Sequence, residues 1–144
     1  MSFLWGDGRI RLREAGPGSY DLLVIDAFSS GAIPVHLVTV QAFEEYFRAL
    51  TDEGLILLNV SKKVLDIVPV VYSNVRAAGG RAVEKSNTGA RHPDAEDTHW
   101  MAISRSRSVT DALVRREGWQ PWAGDRPLPR PWTDRWCNIL AALR

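Results

Sequence analysis

Two aliphatic runs without polar alternation dominate the first half of the chain. They occupy residues 21–25 and 55–60, and runs of this kind are typical of strands in a parallel sheet that helices cover on both faces. Between them, apolar residues recur at helical spacing behind Thr39. This spacing predicts a helix capped by that threonine and stopped in a left-handed turn at Gly54. The pattern therefore predicts a strand–helix–strand unit.

The same alternation continues through the second half of the chain. We predict a helix over residues 66–78, strands over 81–85 and 100–104, and a short helix around 109–117. Pro69 fits only in the first turn of the first of these helices, and Gly79-Gly80 ends it. A segment rich in proline and tryptophan then leads into a C-terminal helical run. We expect one α/β domain over residues 1–144, with a mostly parallel sheet flanked by helices.

Composition narrows the class of protein without identifying it. The 144 residues are 45% hydrophobic and 24% charged, with a net charge of +1, so we expect a folded globular protein without a polyanionic partner. The arginines towards the C-terminus are scattered among acids and prolines, which argues against nucleic-acid binding. The single cysteine, Cys137, excludes an intrachain disulfide and a Cys-based zinc site. We expect its thiol to be buried.

Hydropathy gives no sign of membrane insertion. No apolar stretch approaches the ~20 residues that a membrane-spanning helix needs. The first residues lack the basic and apolar regions of a signal peptide. We therefore expect a cytoplasmic protein without a membrane-inserted segment.

A single carboxylate, Asp26, follows the first aliphatic run directly, and a loop of small residues follows it. Ligands of open α/β sheets bind just outside the carboxyl ends of the strands. Asp26 is therefore either the first residue of a turn or a reactive group held over a binding site.

Three segments of the chain resemble one family. They read GDGRIRLREAGPGSYDLLVIDAFSSGAIPVHLVTVQAFEEYFRALTDEGLILLNVS, LDIVPVV and PWTDRWCNIL. In order and spacing they are similar to the second half of spermidine synthase-like proteins. These are the polyamine aminopropyltransferases, which have the S-adenosylmethionine-dependent methyltransferase fold. The likeness is strongest to the bacterial branch in which this domain is often fused to a membrane transporter.

The resemblance implies roles for particular residues. It implies that Asp7 binds the adenine amino group of the donor, and that Gly8 and Ala27 also contact the donor. It assigns the acceptor amine to Asp26. Ser29, Ser30 and Pro34 are implied to form a gate that contacts the substrate. The implied donor is S-adenosylmethionine or its decarboxylated form, the acceptor is a small-molecule amine, and no metal takes part. The attacking amine must be neutral, so a carboxylate beside it accepts its proton or orients it. Asp7 also lies in Gly-Asp-Gly, which is a common turn sequence.

The chain departs from the family pattern at two points. Ser29 stands where polyamine-specific members carry a second aspartate, which argues against putrescine as the substrate. No G-x-G-x-x-G or similar glycine-rich loop occurs in the sequence, although families of this fold place one after the first strand. The chain therefore reads as a truncated Rossmann-like half-domain that starts just before the adenine-binding turn and lacks the first strands.

The expected truncation has consequences for assembly and for activity. The implied sheet keeps family strands 4-5-7-6 in that order, which turns the strand before Asp26 into an edge. An aliphatic edge is an open template for pairing, so we expect a homodimer through it. The alternative to a transferase is a non-catalytic half-domain that serves assembly, or one that needs a second chain to complete its site.

Two other clusters have functional interpretations. The first comprises His92, Asp94, Glu96, Asp97 and His99, and the second Trp119, Trp122, Trp132 and Trp136. The first is either a metal site or a solvated acidic loop, and we favour the loop. The tryptophans are either a stacking platform or anchors that pin the C-terminal segment onto the sheet, and we favour anchors.

We also expect Thr133-Asp134 to cap the last helix. Ser29-Ser30 is not expected to be a nucleophile, because no G-x-S-x-G motif surrounds it.

Overall fold

The structure, a computed structural model, describes residues 5–27, 34–61, 66–87, 97–116, 118–124 and 126–142. The strands are β1 (Tyr20–Ile25), β2 (Leu50–Asn59), β3 (Arg81–Asn87) and β4 (Thr98–Ser104). The helices are α1 (Gly8–Glu14), α2 (Val40–Ala49), α3 (Val68–Ala77) and α4 (Arg107–Val114), with 3₁₀ turns at Val35–Leu37 and Ile139–Ala142. Among these described residues, every helix is too short or too polar to span a bilayer.

The described strands form one sheet in the order β1-β2-β4-β3. β1 and β2 are parallel, whereas β4 is antiparallel to both of its neighbours. β1, β2 and β3 therefore run in the same direction and β4 runs against them. The α/β fold and the order 4-5-7-6 are confirmed. Three of the four described strands run in the same direction, as a mostly parallel sheet requires. Only one of the three neighbouring pairs, β1 and β2, is parallel, because β4 runs against both of its neighbours.

One face of the sheet carries the hydrophobic core. Ile56 and Leu58 of β2, with Met101 and Ile103 of β4, are completely buried in a cluster with residues of α2 and α3. These positions alternate along their strands, so their side chains point to the same face of the sheet. α4 packs against β3 and β4.

β1 does not match the prediction of a strand buried on both faces. Its side chains Leu23 and Ile25 pack against the core, but Leu22 is 49% exposed and Val24 is 58% exposed. Leu22 and Val24 point to one face of the sheet, and the described helices leave that face uncovered at β1. Within the described residues, the only strand neighbour of β1 is β2. The prediction that this strand forms an edge is confirmed.

The predicted helix ends are partly correct. The Thr39 side chain caps α2 by accepting a hydrogen bond from the Ala42 N–H at 3.2 Å. Pro69 lies in the first turn of α3, and Gly79 follows that helix with a φ of +78°. The stop at Gly54 is wrong, because α2 ends at Ala49 and Gly54 lies within β2. Glycine is needed there since a Cβ would lie 2.7 Å from the Cβ of Leu50.

Trp132 anchors the C-terminal segment, as the sequence predicted, through hydrogen bonds to helices α2 and α3 and burial in the core between those helices and the sheet. Its indole is 1% exposed. The backbone N–H of Trp132 donates to Asn74 Oδ1 at 2.7 Å, and its backbone carbonyl accepts from the Val40 N–H at 2.9 Å. The predicted C-terminal helix is only the short 3₁₀ turn Ile139–Ala142. Cys137 is exposed, so the prediction of a buried thiol is wrong.

Candidate active site

Asp26 lies immediately beyond β1, at the carboxyl end of the parallel pair β1 and β2. Its Oδ1 accepts a hydrogen bond from the side-chain amide of Asn59 at 2.9 Å. Asn59 is the last residue of β2, so the parallel register brings the two strand ends side by side. Asp26 is exposed. The carboxylate is thus held from the protein side and open to solvent.

The orientation of Asn59 follows from its other contact. Its Oδ1 accepts the backbone N–H of Ser61 at 2.9 Å, which leaves the amide nitrogen to donate to Asp26. Ser61 in turn accepts the backbone N–H of His99, at the start of β4, at 2.6 Å. A row of hydrogen bonds therefore links the ends of β1, β2 and β4. Sequence reasoning missed Asn59, although a single amide after an aliphatic run was a usable signal.

Asp7 caps helix α1. Its Oδ1 accepts the backbone N–H groups of Arg9 at 2.8 Å and Ile10 at 3.2 Å, and the Ile10 hydrogen bond is the main cause of its lowered pKa. Its other oxygen, Oδ2, lies 3.3 Å from Nε2 of His36. Gly8, the first residue of α1, is exposed, and a Cβ there would meet nothing within 4 Å. Asp7 thus has one oxygen that caps the helix and one that lies beside the His36 ring.

The residue beside Asp7, Arg9, is a buried guanidinium that joins four parts of the chain. It is only 6% exposed. Its donors reach Glu45 at 2.7 and 3.1 Å, Asp134 at 2.9 and 3.0 Å, and the His36 carbonyl at 2.8 Å. All five N–H groups of a guanidinium are thereby used. This cluster fixes α1 to α2, to the 3₁₀ turn at Val35–Leu37 and to the C-terminal segment.

The two carboxylates on Arg9 have lowered pKa values. The hydrogen bond from Arg9 is the main cause for Asp134. Burial acts to raise the pKa of Glu45, but the hydrogen bonds from Arg9 and Arg13 outweigh it and the pKa lies below its usual value. The prediction that Thr133-Asp134 caps the last helix is wrong. Asp134 instead accepts hydrogen bonds from Arg9 and from the Thr39 hydroxyl, the latter at 2.6 Å.

The other predicted site residues are placed only in part. Ala27 is exposed next to Asp26, and Pro34 is half-buried just before the 3₁₀ turn at Val35–Leu37. Ser29 and Ser30 lie outside the described residues. In the described part of the chain, no hydrogen bond joins Asp7 to Asp26, and each carboxylate has its own partners.

The histidine and acidic cluster falls mostly outside the described residues. His92, Asp94 and Glu96 are not described, whereas Asp97 and His99 are. The His99 ring nitrogen Nε2 lies 2.7 Å from the Glu84 carboxylate. Where side chains are described, three His, Cys, Asp or Glu residues nowhere converge as a metal site would require.

In fold, the protein is similar to spermidine synthases, which have a methyltransferase-like fold. A probable spermidine synthase from Corynebacterium glutamicum ATCC 13032 matches 92% of this chain and 55% of its own, with a TM-score of 0.56 and 15% identity. The spermidine synthase from Thermotoga maritima matches 96% of this chain and 45% of its own, with a TM-score of 0.53 and 15% identity. The similarity thus covers a portion of each of these structures.

The sequence comparison agrees with the fold. The polyamine aminopropyltransferase of Vibrio vulnificus (strain CMCP6) is 31% identical over 74 residues, which are 49% of this chain and 25% of that protein. The chain therefore spans about a quarter of this curated relative and about half of the similar structures. No family model matches the chain. The resemblance to part of a spermidine synthase-like protein is confirmed.

Proposed function

We propose that this chain carries part of the active site of a spermidine synthase-like transferase in polyamine biosynthesis. It moves an aminopropyl or methyl group from decarboxylated S-adenosylmethionine or S-adenosylmethionine to a small amine. The observation that carries the proposal is the exposed Asp26 carboxylate, held by Asn59 at the carboxyl end of parallel strands. The curated aminopropyltransferase relative supports the same reaction class. The cytoplasmic location predicted from the sequence belongs to this proposal.

The proposed reaction needs a carboxylate at the acceptor. The amine nitrogen forms a bond to the carbon next to the sulfonium, the carbon–sulfur bond breaks, and its electron pair neutralises the sulfur. The amine must lose a proton, which Asp26 accepts. Asn59 holds Oδ1 of Asp26, and Oδ2 has no hydrogen-bond partner among the described residues. That oxygen is therefore the one offered to the amine, and Ser29, Ser30 and Pro34 are proposed to contact the same substrate.

The donor's nucleoside is assigned to Asp7. Because Oδ1 already caps α1, we assign Oδ2, which lies 3.3 Å from His36 Nε2, as the acceptor for the adenine amino group. Gly8 and Ala27 are proposed to lie against the donor, since both are exposed and small. No glycine-rich loop occurs in the sequence, so the contacts that such a loop makes come from another segment or another chain.

Titration calorimetry with methylthioadenosine, the nucleoside product of aminopropyl transfer, tests the donor side. We expect saturable binding to the purified chain. The substitution Asp7→Asn should remove it, because asparagine still caps a helix but presents an amide donor where the adenine amino group needs an acceptor.

Circular dichroism should show that the Asp7→Asn variant retains the helix content of the unmodified protein. A flat titration with the folded, unmodified chain would contradict the proposal for this chain by itself.

A second candidate function, assembly without catalysis, is favoured by the free edge of β1. Tyr20, Leu22 and Val24 are exposed on one face of this strand. We propose that a second copy pairs with this edge, since a two-fold axis can place β1 beside its own image in an antiparallel ladder. The exposed side chains of Tyr20, Leu22 and Val24, here called the apolar stripe, then lie beside those of the second copy. The same surface would also accept a second chain that completes the donor site.

Light scattering tests the dimer, which we expect at micromolar concentration. The substitution Leu22→Lys should yield a monomer, because it puts a charge into the paired apolar stripe. Leu140→Lys is the matched control, since Leu140 is 77% exposed and lies outside β1, in the turn Ile139–Ala142. The Leu140→Lys variant should remain dimeric. A monomeric unmodified protein would contradict the pairing. A dimer that binds no methylthioadenosine would favour assembly over catalysis.

A further inference from the structure

A cavity of about 600 Å³ lies away from the candidate active site. Its lining comes from α3, the Gly79–Gly80 turn, the first residues of β3 and the C-terminal segment. β3 runs in the same direction as β1. Its first residue, Arg81, therefore lies at one end of the strands, and Asp26, which follows the last residue of β1, lies at the other end. β1 and β3 are also the two outer strands of the described sheet. The cavity and Asp26 therefore occupy opposite corners.

The C-terminal segment forms the outer wall and is fixed on both sides of the cavity. Gln120 exchanges two backbone hydrogen bonds with Glu84 of β3, at 2.8 and 2.9 Å. The Pro129 carbonyl accepts the Ser73 hydroxyl of α3 at 2.6 Å. Between these anchors, Trp122 lines the cavity and packs against the ring of Tyr72, with a centroid distance of 5.3 Å. The wall is thus held by the fold before any ligand binds.

Unpaired positive charge lies at the rim. Arg76 and Arg81 both line the cavity and are exposed, and neither has an acidic partner within the described residues. A third guanidinium, Arg105, lies 4.9 Å from the ring centroid of Phe47, and Phe47 lies directly against Gly80 of the same turn. Guanidinium groups bind phosphate and carboxylate through paired hydrogen bonds.

The interior of the cavity is aromatic and apolar. Trp122, Tyr72 and Leu128 contribute to its lining. The Tyr72 hydroxyl is buried without a hydrogen-bond partner, the only such side-chain atom among the described residues. Cavities of about 300–1,000 Å³ that combine apolar walls with a few polar groups are typical ligand sites.

We propose that this cavity binds a planar aromatic anion, with its ring against Trp122 and its phosphate or carboxylate between Arg76 and Arg81. Indole and guanidinium groups together suit such a ligand, because rings stack on Trp and the anion meets uncompensated charge. The site is independent of the transferase proposal, since it shares no residue with Asp7 or Asp26.

Fluorescence titration with flavin mononucleotide as the probe tests this site, because stacking on an indole quenches flavin emission. We expect saturable quenching, and weaker binding of riboflavin, which lacks the phosphate, by about tenfold or more. Arg81→Gln and Arg76→Gln should each weaken flavin mononucleotide binding but not riboflavin binding. Trp122→Leu should abolish the quenching.

Two controls separate this site from other binding. Arg115→Gln removes an exposed arginine at the end of α4 and should leave the titration unchanged. Asp7→Asn should also leave it unchanged, even though it removes methylthioadenosine binding. The proposal is overturned if flavin mononucleotide causes no quenching at millimolar concentration. Equal affinity for riboflavin, or no effect of the cavity arginines, would overturn it as well.

Discussion

Replacing Arg9 with methionine should destabilise the protein by about 3 kcal/mol, near the lower end of the 3–5 kcal/mol that removing one partner of a buried ion pair costs. The substitution keeps a long apolar side chain but leaves Glu45 and Asp134 without their shared cation. The lower value applies because the Asp134 side chain is 39% exposed, so water compensates part of the loss. Since domains are stable by only about 5–15 kcal/mol, a large share of the folding free energy depends on this residue.

Urea denaturation followed by tryptophan fluorescence measures this effect. Arg13→Met is the matched control, because Arg13 binds the same Glu45 at 2.7 Å but its side chain is 56% exposed. Exposed ion pairs contribute at most about 1 kcal/mol, so this variant should remain close to the unmodified protein. Equal losses for Arg9→Met and Arg13→Met would show that burial of Arg9 does not set its contribution.

The same cluster should make stability depend on pH. Asp134 and Glu45 have lower pKa values in the folded state than in the unfolded state. They therefore stabilise the folded state fully when the pH is above their unfolded pKa values, which are about 4. This stabilisation is lost as the pH falls through the folded values. The Arg9→Met variant lacks the cation that lowers them, so its stability should fall less steeply in acid than that of the unmodified protein.

Replacing Asp26 with asparagine should lower the rate of group transfer by about 10²–10⁴-fold, the range attributed to a positioned general base. The amide is similar in shape but cannot accept the proton of the amine. Methylthioadenosine binding should stay nearly unchanged, because the nucleoside is assigned to Asp7. The rate is measured as methylthioadenosine released from decarboxylated S-adenosylmethionine across a panel of small amines, so the acceptor need not be known beforehand.

Asp21→Asn provides the matched control for this experiment. Asp21 is an exposed carboxylate on the same strand at its other end, where it accepts a hydrogen bond from the Thr51 hydroxyl at 3.0 Å. Its substitution should leave the rate unchanged. If Asp26→Asn lost turnover and nucleoside binding together, or neither, the separate roles of Asp26 and Asp7 would be wrong.

Local patterns were enough to predict the elements that depend on neighbouring residues. The Thr39 cap, the position of Pro69 and the end of α3 just before Gly79 follow from hydrogen bonds and dihedral limits within one or two turns. The placement of Asp26 at the end of a strand follows from the aliphatic run before it. Family resemblance supplied the strand order, which these local rules do not contain.

Contacts between distant segments were beyond that reasoning. Arg9 and Asp134 are 125 residues apart, and the sequence around Asp134 was equally compatible with a helix cap. Asn59 reaches Asp26 only because β1 and β2 are parallel in a particular register. The burial of β1 was also mispredicted, since a run of aliphatic residues has the same sequence pattern whether helices cover one face of the strand or both. Side-chain pairing and burial depend on which segments become neighbours, and that arrangement is a property of the whole packed chain.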